Sequence, residues 1–431
     1  MPKPSHIQFL ILTAGLLASA LDGPAQTSAP LRLDLAEARR LAIERNWDLL
    51  AAKSDVDIAT AQRLVAHEFP NPVASLSVSK ISADSAHGSS TPVGNGLFDR
   101  SYDTVAAVSQ LIEIGGKRRA RQDMAAAGIA AAQERLADTR RLLDFGVIRA
   151  YLGVLTADEN ARILADSAAS LRREADIAQT RVKAGDISTN DRSQIEIASD
   201  RLQIEARRAK SDAANARVQL AILLGERRSG IELVVTDSIA SLTSRLASEP
   251  DSSAPALANR PDVRVAEAFV RQAEAGVRLQ KAQRVPDTTL SALYEHQPPD
   301  QPHTLGLAVS FPIPLWNRNR GNIKAAQALR EQTEDNARKV AAQAAADVSI
   351  ARHDFDSARA RRDDYVRNIA PKSASVRETV TFAYQKGGAT LLDLLSAQRN
   401  DNDVRLAAAQ AAADVIVARA ALAAALNEKK P

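Results

Sequence analysis

The chain has 431 residues with a formal net charge of +4, and it contains no cysteine. The lack of cysteine excludes disulfides, thiolate metal sites and a lipidated N-terminal cysteine. Hydrophobic residues make up 45% of the chain but aromatic ones only 3%, so its apolar content is mainly alanine, leucine, isoleucine and valine. This composition suits long, closely packed helices, and the modest charge argues against nucleic-acid binding.

The first 25 residues are predicted to be a signal peptide. Lys3 precedes an apolar stretch from Phe9 to Ala20, and Ala18-Ser19-Ala20 matches the small-residue pattern of a cleavage site. Cleavage is expected after Ala20 or after Ala25, and an uncleaved anchor is the alternative. The rest of the chain has no run of about 18 uninterrupted apolar residues, so any membrane crossing is expected through a β-barrel.

Helix and strand patterns alternate along residues 26–226, the predicted first structural repeat. Apolar residues at helical spacing predict a first helix, which Phe69-Pro70 ends. Period-two alternation predicts two strands, and a proline-free run predicts a helix roughly 100 Å long that Gly185 ends. The predicted elements are helices over 35–69, 117–184 and 189–223, strands over 73–81 and 102–112, and a loop over 82–96.

The helix after Gly185 is predicted to pack along a coiled-coil seam. Either Ser188 or Thr189 can serve as its N-cap. Its apolar residues recur at alternating steps of three and four, which average the coiled-coil period. The seam residues are Ile195, Ala198, Leu202, Ala206, Ala209, Ala213, Ala216, Leu220 and Leu223.

Residues 227–260 lose this periodicity and gain serine, aspartate and proline, which indicates a linker between two halves. The order of patterns then repeats within residues 261–431, the predicted second structural repeat. Its predicted elements are a helix over 261–284, strands over 288–296 and 304–311, a long helix from Gly321 to about Lys386 that contains Pro371, and a last helix over 390–428.

Three residue types recur at one separation of 202 positions, which is 387 minus 185, 393 minus 191 and 428 minus 226. The pairs are Gly185 with Gly387, Asp191 with Asp393, and Glu226 with Glu428. This insertion-free repeat predicts one structural half used twice, since solenoid units span only about 20–50 residues. Four strands cannot close a barrel, so either the hairpins lie outside the membrane or several chains share one barrel.

The duplicated layout, together with short motifs, resembles the TolC-type outer-membrane efflux channels over nearly all of the mature chain. The segments Ile112–Arg118 and Phe311–Gly321 are most similar to the heavy-metal resistance branch, which exports cobalt, zinc, cadmium, copper or silver. The other motifs are Leu35-Ala-Glu-Ala38 with Asn46, Phe69-Pro70, Arg149-Ala-Tyr151 and Leu223-Leu224-Gly225.

The resemblance implies a mainly α fold with a small β part, assembled as a homotrimer in the outer membrane of a Gram-negative bacterium. Duplicated long helical hairpins would form a periplasmic tunnel, and four strands per chain would contribute to a 12-stranded transmembrane β-barrel in outer-membrane lipid. The implied partners are a periplasmic adaptor (membrane fusion) protein and an inner-membrane pump. No cofactor is implied.

The resemblance also implies a gate at the periplasmic end of the tunnel. Asp393 matches an aspartate that narrows this end, where threefold symmetry would make a carboxylate ring whose members raise one another's pKa. Ser396 replaces a second acidic residue of the family pattern, so a less acidic constriction is expected. Asp191 and Tyr384 match a hydrogen-bonded lock between neighbouring coiled coils, although a solvated residue early in a helix is the plainer interpretation of Asp191.

The glycine turns would lie at the periplasmic tip, where the family meets its adaptor. The residues concerned are Gly185, Gly387 and Gly388. Glycine also simply permits a tight turn between antiparallel helices, so these residues fit a purely structural interpretation as well.

Basic residues follow a predicted strand at the same place in each half. The two clusters are Lys117, Arg118, Arg119 and Arg121, and Arg318, Arg320 and Lys324. Contact with anionic groups at the inner leaflet is one interpretation, and a solvated helix start is the plainer one. The six histidines show no paired ligand spacing, so no metal site is predicted.

The resemblance therefore implies a passive exit duct for divalent heavy-metal cations delivered by an RND-type pump and its adaptor. A channel for drugs, organic compounds or type I secreted proteins is the first alternative. A secreted structural coiled-coil protein or adhesin is the second. No nucleophile–base constellation, phosphate loop or carboxylate pair stands out, so an enzyme is not expected.

Overall fold

A computed structural model of the protein describes residues 30–81, 101–227, 233–246, 257–297 and 301–428. The predicted signal peptide and the predicted loop over 82–96 lie outside these ranges. The first half contains β1 (Leu31–Leu33), α1 (Leu35–Arg45), α2 (Trp47–His67), β2 (Val73–Ile81), β3 (Ser101–Ile112), α3 (Lys117–Ala184) and α4 (Thr189–Leu223).

After α4 come β4 (Leu233–Val235) and α5 (Ile239–Leu246), and then the second half. It contains α6 (Pro261–Ala282), β5 (Thr288–Gln297), β6 (Gln301–Ser310), α7 (Arg320–Asp364), α8 (Ala370–Gln385) and α9 (Leu391–Leu426). The mainly α fold with a small β part and the repeated order of helices and strands are confirmed.

The helix predicted over 35–69 is two helices, because Asn46 leaves the helical conformation. Its ψ of 130° is extended. Its side chain accepts a hydrogen bond from the Leu49 amide at 3.1 Å and donates one to the Leu223 carbonyl at 3.0 Å. Because the Asn46 side chain caps the start of α2, the backbone does not continue as a helix through this residue. The prediction of one continuous helix was therefore wrong.

Two long arms run from the strands to a glycine turn, and α3 is the first of them. It spans 68 residues, about 100 Å at the helical rise. α4 returns from the N-cap Ser188. The predicted seam of α4 is buried or half-buried along its whole length, so α3 and α4 form the expected coiled-coil hairpin.

The second arm contains a π-helical turn over Tyr365–Ile369, which separates α7 from α8. Pro371, in the first turn of α8, lacks an amide hydrogen and would clash with the carbonyl four residues before it. The amide of Ala370 instead donates to the carbonyl of Tyr365, five residues earlier. The predicted single helix is thus interrupted, although the arm still reaches the second glycine turn.

The four long strands form one antiparallel sheet in the order β2, β3, β5, β6, so the hairpins of the two halves join edge to edge. The register places Leu76, Ala106, Tyr294 and Leu305 in one row. That face is apolar and exposed, with Leu76, Val108, Leu290, Leu305, Leu307 and Val309. The opposite face is mostly small or polar, with Ser75, Ser77, Ala107, Ser109, Ser291 and Gly306.

The main hydrophobic core lies part-way along the arms, beside a small parallel sheet of β1 and β4. Tyr151 of α3 is fully buried there, and its hydroxyl lies 3.0 Å from both the Leu33 carbonyl oxygen and the Asp237 carboxylate. Burial raises the pKa of Tyr151 and keeps it neutral. Because β4 and α5 fall within the predicted linker over 227–260, the described part of that linker is ordered structure.

Within the described ranges, one helix, α9, is long and apolar enough to cross a membrane by length and composition. Half of its most apolar window is buried inside the chain. Val415, Ile416 and Leu422 of this helix belong to the main core. Packing against other helices accounts for the apolar composition of α9, since core helices pass the same test.

Candidate functional site

Each long arm ends in a glycine turn, and the two turns share one backbone conformation. Gly185 and Gly387 have left-handed φ values of 81° and 79°, which other residues rarely adopt. A Cβ added at either glycine would meet no atom within 4 Å. The amide of Gly388 donates to the Ala383 carbonyl at 2.8 Å. The three predicted tip glycines therefore lie in the turns, and the left-handed backbone favours glycine at Gly185 and Gly387.

Asp191 and Asp393 occupy the same position in the first turn of α4 and α9. The amides of Ser188 and Thr390 donate to these carboxylates at 3.3 and 3.0 Å. The amide of each aspartate donates back to the hydroxyl of the same partner. Such reciprocal pairs are capping boxes, so the repeat produces matched helix starts.

The Asp393 carboxylate is exposed, and hydrogen bonds from Thr390 lower its pKa. Ser396 is exposed three residues later, on the same face of α9. The predicted rise in pKa would come from repulsion among three carboxylates, which acts between chains. Within one chain Asp393 is an ionised capping residue with a solvent-facing carboxylate.

A small apolar cluster joins the two arms beside the turns. This tip cluster consists of Ala175, Ala178, Ile195, Tyr384 and Leu394. Tyr384 is its aromatic member, and the guanidinium of Arg181 lies 5.4 Å from the ring centroid. Arg181 also donates to the Tyr384 carbonyl at 3.3 Å. Val182 stands at the equivalent place in the first half, so the contact breaks the symmetry of the repeat.

The hydroxyl of Tyr384 is buried, and it has no hydrogen-bond partner among the residues that the structure describes. Burial raises the pKa of Tyr384; Arg181 opposes this effect, and the carboxylates of Asp191 and Glu174 add to it. Tyr384 and Asp191 are thus within electrostatic reach without a hydrogen bond between them. The predicted hydrogen-bonded lock that involves Asp191 and Tyr384 is therefore not formed within one chain.

A buried polar layer, not predicted from the sequence, lies between the arms. Arg377 Nε lies 2.9 Å from the carboxylate of the fully buried Asp401. Ser167 on the other arm donates to Asn402. A charged residue at seam spacing in an alanine-rich helix is expected to be paired, and Asp401 is such a residue. Its position in α9 is the signal that could have predicted this layer.

The first basic cluster lies where α3 leaves the sheet, an end called here the junction. Lys117 is buried, and its Nζ lies 2.6 Å from Asp287 Oδ1 at the start of β5. Arg121 pairs with Glu113. Two of the four cations in this cluster are therefore neutralised inside the chain.

The remaining cations at the junction differ between the halves. Arg118 lies over the ring of Phe69 at 3.8 Å and donates to the His67 carbonyl at 2.9 Å. Arg119, Arg318 and Arg320 are exposed. The predicted clusters thus fall at the same end of the sheet, but they are not equivalent.

No group of three or more metal-ligating side chains is arranged to hold a metal ion in the part of the chain that the structure describes. His296 and His303 approach with ring centroids 5.2 Å apart. The Tyr294 hydroxyl lies 2.6 Å from Nδ1 of His303.

Comparison with known proteins agrees with the duplicated arms and the small sheet. The family model for outer membrane efflux protein matches residues 38–226 and 253–428. The cobalt-zinc-cadmium resistance protein CzcC of Cupriavidus metallidurans is 26% identical over 381 residues, covering 87% of this chain and 85% of the relative. The pyoverdine export outer membrane protein OpmQ of Pseudomonas aeruginosa is 25% identical over 379 residues, covering 83% and 77%.

A solved structure of CusC, described for folding and transmembrane channel formation, superposes with a TM-score of 0.74 at 17% identity. The match covers 91% of each chain. The fold is thus that of TolC-like channels, and the alternative of a secreted structural stalk was wrong. With both halves matched by one family model, the chain belongs to the outer membrane efflux protein family and is located in the outer membrane.

Proposed function

We propose that this chain is the outer-membrane channel of a tripartite efflux system and that its cargo is divalent heavy-metal cations. In this proposal an inner-membrane pump and a periplasmic adaptor deliver the cargo, and the channel is a passive exit duct. The observation that carries the cargo assignment is the 26% identity over 381 residues to a cobalt-zinc-cadmium resistance protein.

The sheet supports assembly as a homotrimer. β2 and β6 are edge strands within one chain, and unpaired strand edges are unfavourable in lipid. One face of the sheet is apolar and the other is mostly small or polar, as expected for a wall between lipid and water. Three copies of the four strands, joined edge to edge, would close a barrel of twelve. The arms and their return helices would continue it as a tunnel.

The gate and the adaptor contact are assigned to the turn end of the arms. The proposed gate residues are Asp191, Tyr384, Asp393 and Ser396, and the proposed adaptor-facing residues are Gly185, Gly387 and Gly388. Three observations support the gate: both arms meet at the tip cluster, the Tyr384 hydroxyl is buried without a partner in one chain, and the Asp393 carboxylate is exposed. In a trimer, a neighbouring chain would supply the hydrogen-bond partner that the Tyr384 hydroxyl lacks and would face the exposed Asp393 carboxylate.

Deletion of the gene in its host tests the cargo assignment. We expect loss of resistance to cobalt, zinc and cadmium salts, restoration by a plasmid copy, and unchanged sensitivity to a panel of organic antibiotics. Minimum inhibitory concentrations measure both. Unchanged metal resistance together with raised antibiotic sensitivity would remove the metal assignment while keeping the channel.

An organic metal chelator is the second candidate cargo. The pyoverdine export protein is 25% identical over 83% of this chain, nearly as similar as the metal-resistance relative. The same deletion strain separates the two, because siderophore export changes the amount of chelator in the medium under iron limitation. A fall in secreted chelator with unchanged metal resistance would favour this second cargo.

A further inference from the structure

Exposed apolar residues continue along the chain beyond the end of β6. Leu305, Leu307 and Val309 alternate along the exposed face of β6. Phe311, Ile313 and Leu315 keep the same period of two in the segment that follows, and all three are exposed. Trp316 comes next and is 93% exposed. These four residues, Phe311, Ile313, Leu315 and Trp316, are called here the junction ridge.

An uncompensated positive charge follows the junction ridge. The chain has no aspartate or glutamate between Ser310 and Arg330. Arg318, Arg320 and Lys324 are exposed, and none of them pairs with a carboxylate of the described residues. Lys117, which belongs to the corresponding basic cluster of the first half, is instead buried and paired with Asp287. The second half therefore presents three unpaired cations directly after four exposed apolar residues, whereas the first half has Arg119 as its exposed cation.

The junction ridge is held at the end of the sheet from which both arms leave. Asn319 donates to the Gln280 carbonyl at 2.8 Å, near the end of α6. The same end holds the Lys117–Asp287 pair. The ridge thus lies at the boundary between the apolar band of the sheet and the polar arms.

We propose that the junction ridge is a membrane anchor that inserts into the inner leaflet of the outer membrane, with Arg318, Arg320 and Lys324 binding anionic phospholipid headgroups. This inference rests on the proposed barrel. Tryptophan favours the headgroup level because its ring is apolar and its N–H is polar. Each basic side chain near an anionic lipid surface strengthens attraction about fivefold. The ridge directly follows the apolar face of β6, as expected for a segment next to the acyl chains. The three cations that follow the ridge are suited to bind anionic headgroups.

Quenching of Trp316 fluorescence by brominated phospholipid tests the anchor. The chain has two tryptophans, so Trp47→Phe leaves Trp316 as the sole emitter in the full-length protein. It is reconstituted into vesicles of phosphatidylcholine and phosphatidylglycerol. We expect loss of emission when either lipid carries bromine near the headgroup end of the acyl chain. The loss should be greater with brominated phosphatidylglycerol.

A second reporter separates failure of the anchor from failure of the barrel. Leu307→Trp, in a chain that also carries Trp47→Phe and Trp316→Phe, places the sole tryptophan on the apolar face of β6. If this reporter is quenched and Trp316 is not, the ridge is covered by protein, such as a second copy of the chain, and the anchor is overturned. If neither tryptophan is quenched, the sheet does not lie in lipid, and both the proposed barrel and the anchor are overturned.

Charge removal tests the headgroup contact. Arg318→Gln, Arg320→Gln and Lys324→Gln together should abolish the preference of Trp316 quenching for brominated phosphatidylglycerol. The matched control is Lys339→Gln, Arg352→Gln and Lys372→Gln, three exposed cations farther along the arm, and it should keep the preference. Equal preference in both triple variants would overturn the anionic-lipid part of the proposal.

Discussion

Asn46 joins two helix ends through one amide group. Its oxygen caps α2, and its nitrogen donates to a carbonyl at the end of α4. Asn46→Ala should lower the free energy of unfolding by about 1–2 kcal/mol, because it removes a cap and leaves a partly buried carbonyl unpaired. Urea unfolding followed by circular dichroism measures this. Asn190→Ala, at an exposed site in α4, should change little, and equal effects would contradict the assignment.

Gly225 is confined both by its backbone and by its neighbours. Its φ is +70°, and an added Cβ would lie 2.2 Å from the Arg45 carbonyl oxygen. Gly225→Ala should destabilise the chain by roughly 3–5 kcal/mol through left-handed strain and overlap. Gly185→Ala meets open space and should cost about 1–2 kcal/mol from strain alone. The same urea unfolding compares them, and a reversed order would show that the contact with Arg45 is absent.

Side-chain contacts such as N-caps could be predicted where both partners lie within one helical turn. Ser188 was predicted as a possible N-cap from its place beside Gly185, and it caps α4. The contact of Asn46 with Leu223 joins residues 177 positions apart, so no local pattern encodes it. Tyr384 was predicted as a gate residue from resemblance, and its burial against Arg181 required the packed arms.

The two faces of β6 should respond differently to charge. Leu307 faces the apolar side and Ala308 the opposite side. Leu307→Arg should reduce the stability of the inserted protein by about 2–4 kcal/mol, because a charge then faces lipid, whereas Ala308→Arg would face water. Folding into vesicles across a urea series measures the difference. Equal losses for both variants would show that the sheet does not separate lipid from water.

The first turn of α9 should depend on pH through Asp393. Its pKa is lowered in the folded chain, so the ionised carboxylate stabilises the turn. That stabilisation is complete above the unfolded pKa, near 3.9, and is lost as the pH falls through the lower folded value. Amide-exchange protection of residues 391–396 in the wild type, relative to Asp393→Asn, should therefore be constant from about pH 5 to 8.

As the pH falls from about 4 through the lower folded pKa of Asp393, this difference in protection should diminish and then disappear. Asp403→Asn, an exposed change on the same helix, should show no difference at any pH. A titration of the Asp393 difference between about pH 5 and 8 would contradict the capping account. It would indicate instead the raised pKa of a coupled carboxylate ring.

Long elements were more predictable than short ones. The bounds of α3 and the seam of α4 follow from periodicity and from Gly185, because these signals extend over many turns. The π-helical turn before Pro371 was not predicted, since proline permits either a kink or a local widening. The short strands β1 and β4 pair across 202 positions, from Leu31 to Leu233, and three residues carry too little pattern to reveal that.

The molecule as a whole has two similar arms and one asymmetric contact between them. The arms reproduce each other in length, glycine turn and capping box. Tyr384 and Arg181 join them in a way that the repeat does not duplicate. If three chains form the tunnel, this contact would recur three times at its end. We therefore expect that opening is controlled at the tip cluster.

Single-channel conductance in planar bilayers tests this central claim most directly. The wild-type protein should give small, uniform steps, and the Asp191→Ala, Tyr384→Phe double variant should give larger ones, because the contacts that narrow the tunnel end are weakened. Tyr365→Phe with Asp403→Ala makes the same chemical changes away from the tip and should match the wild type. Steps of equal size in all three proteins, or no ion conduction at all, would contradict the account.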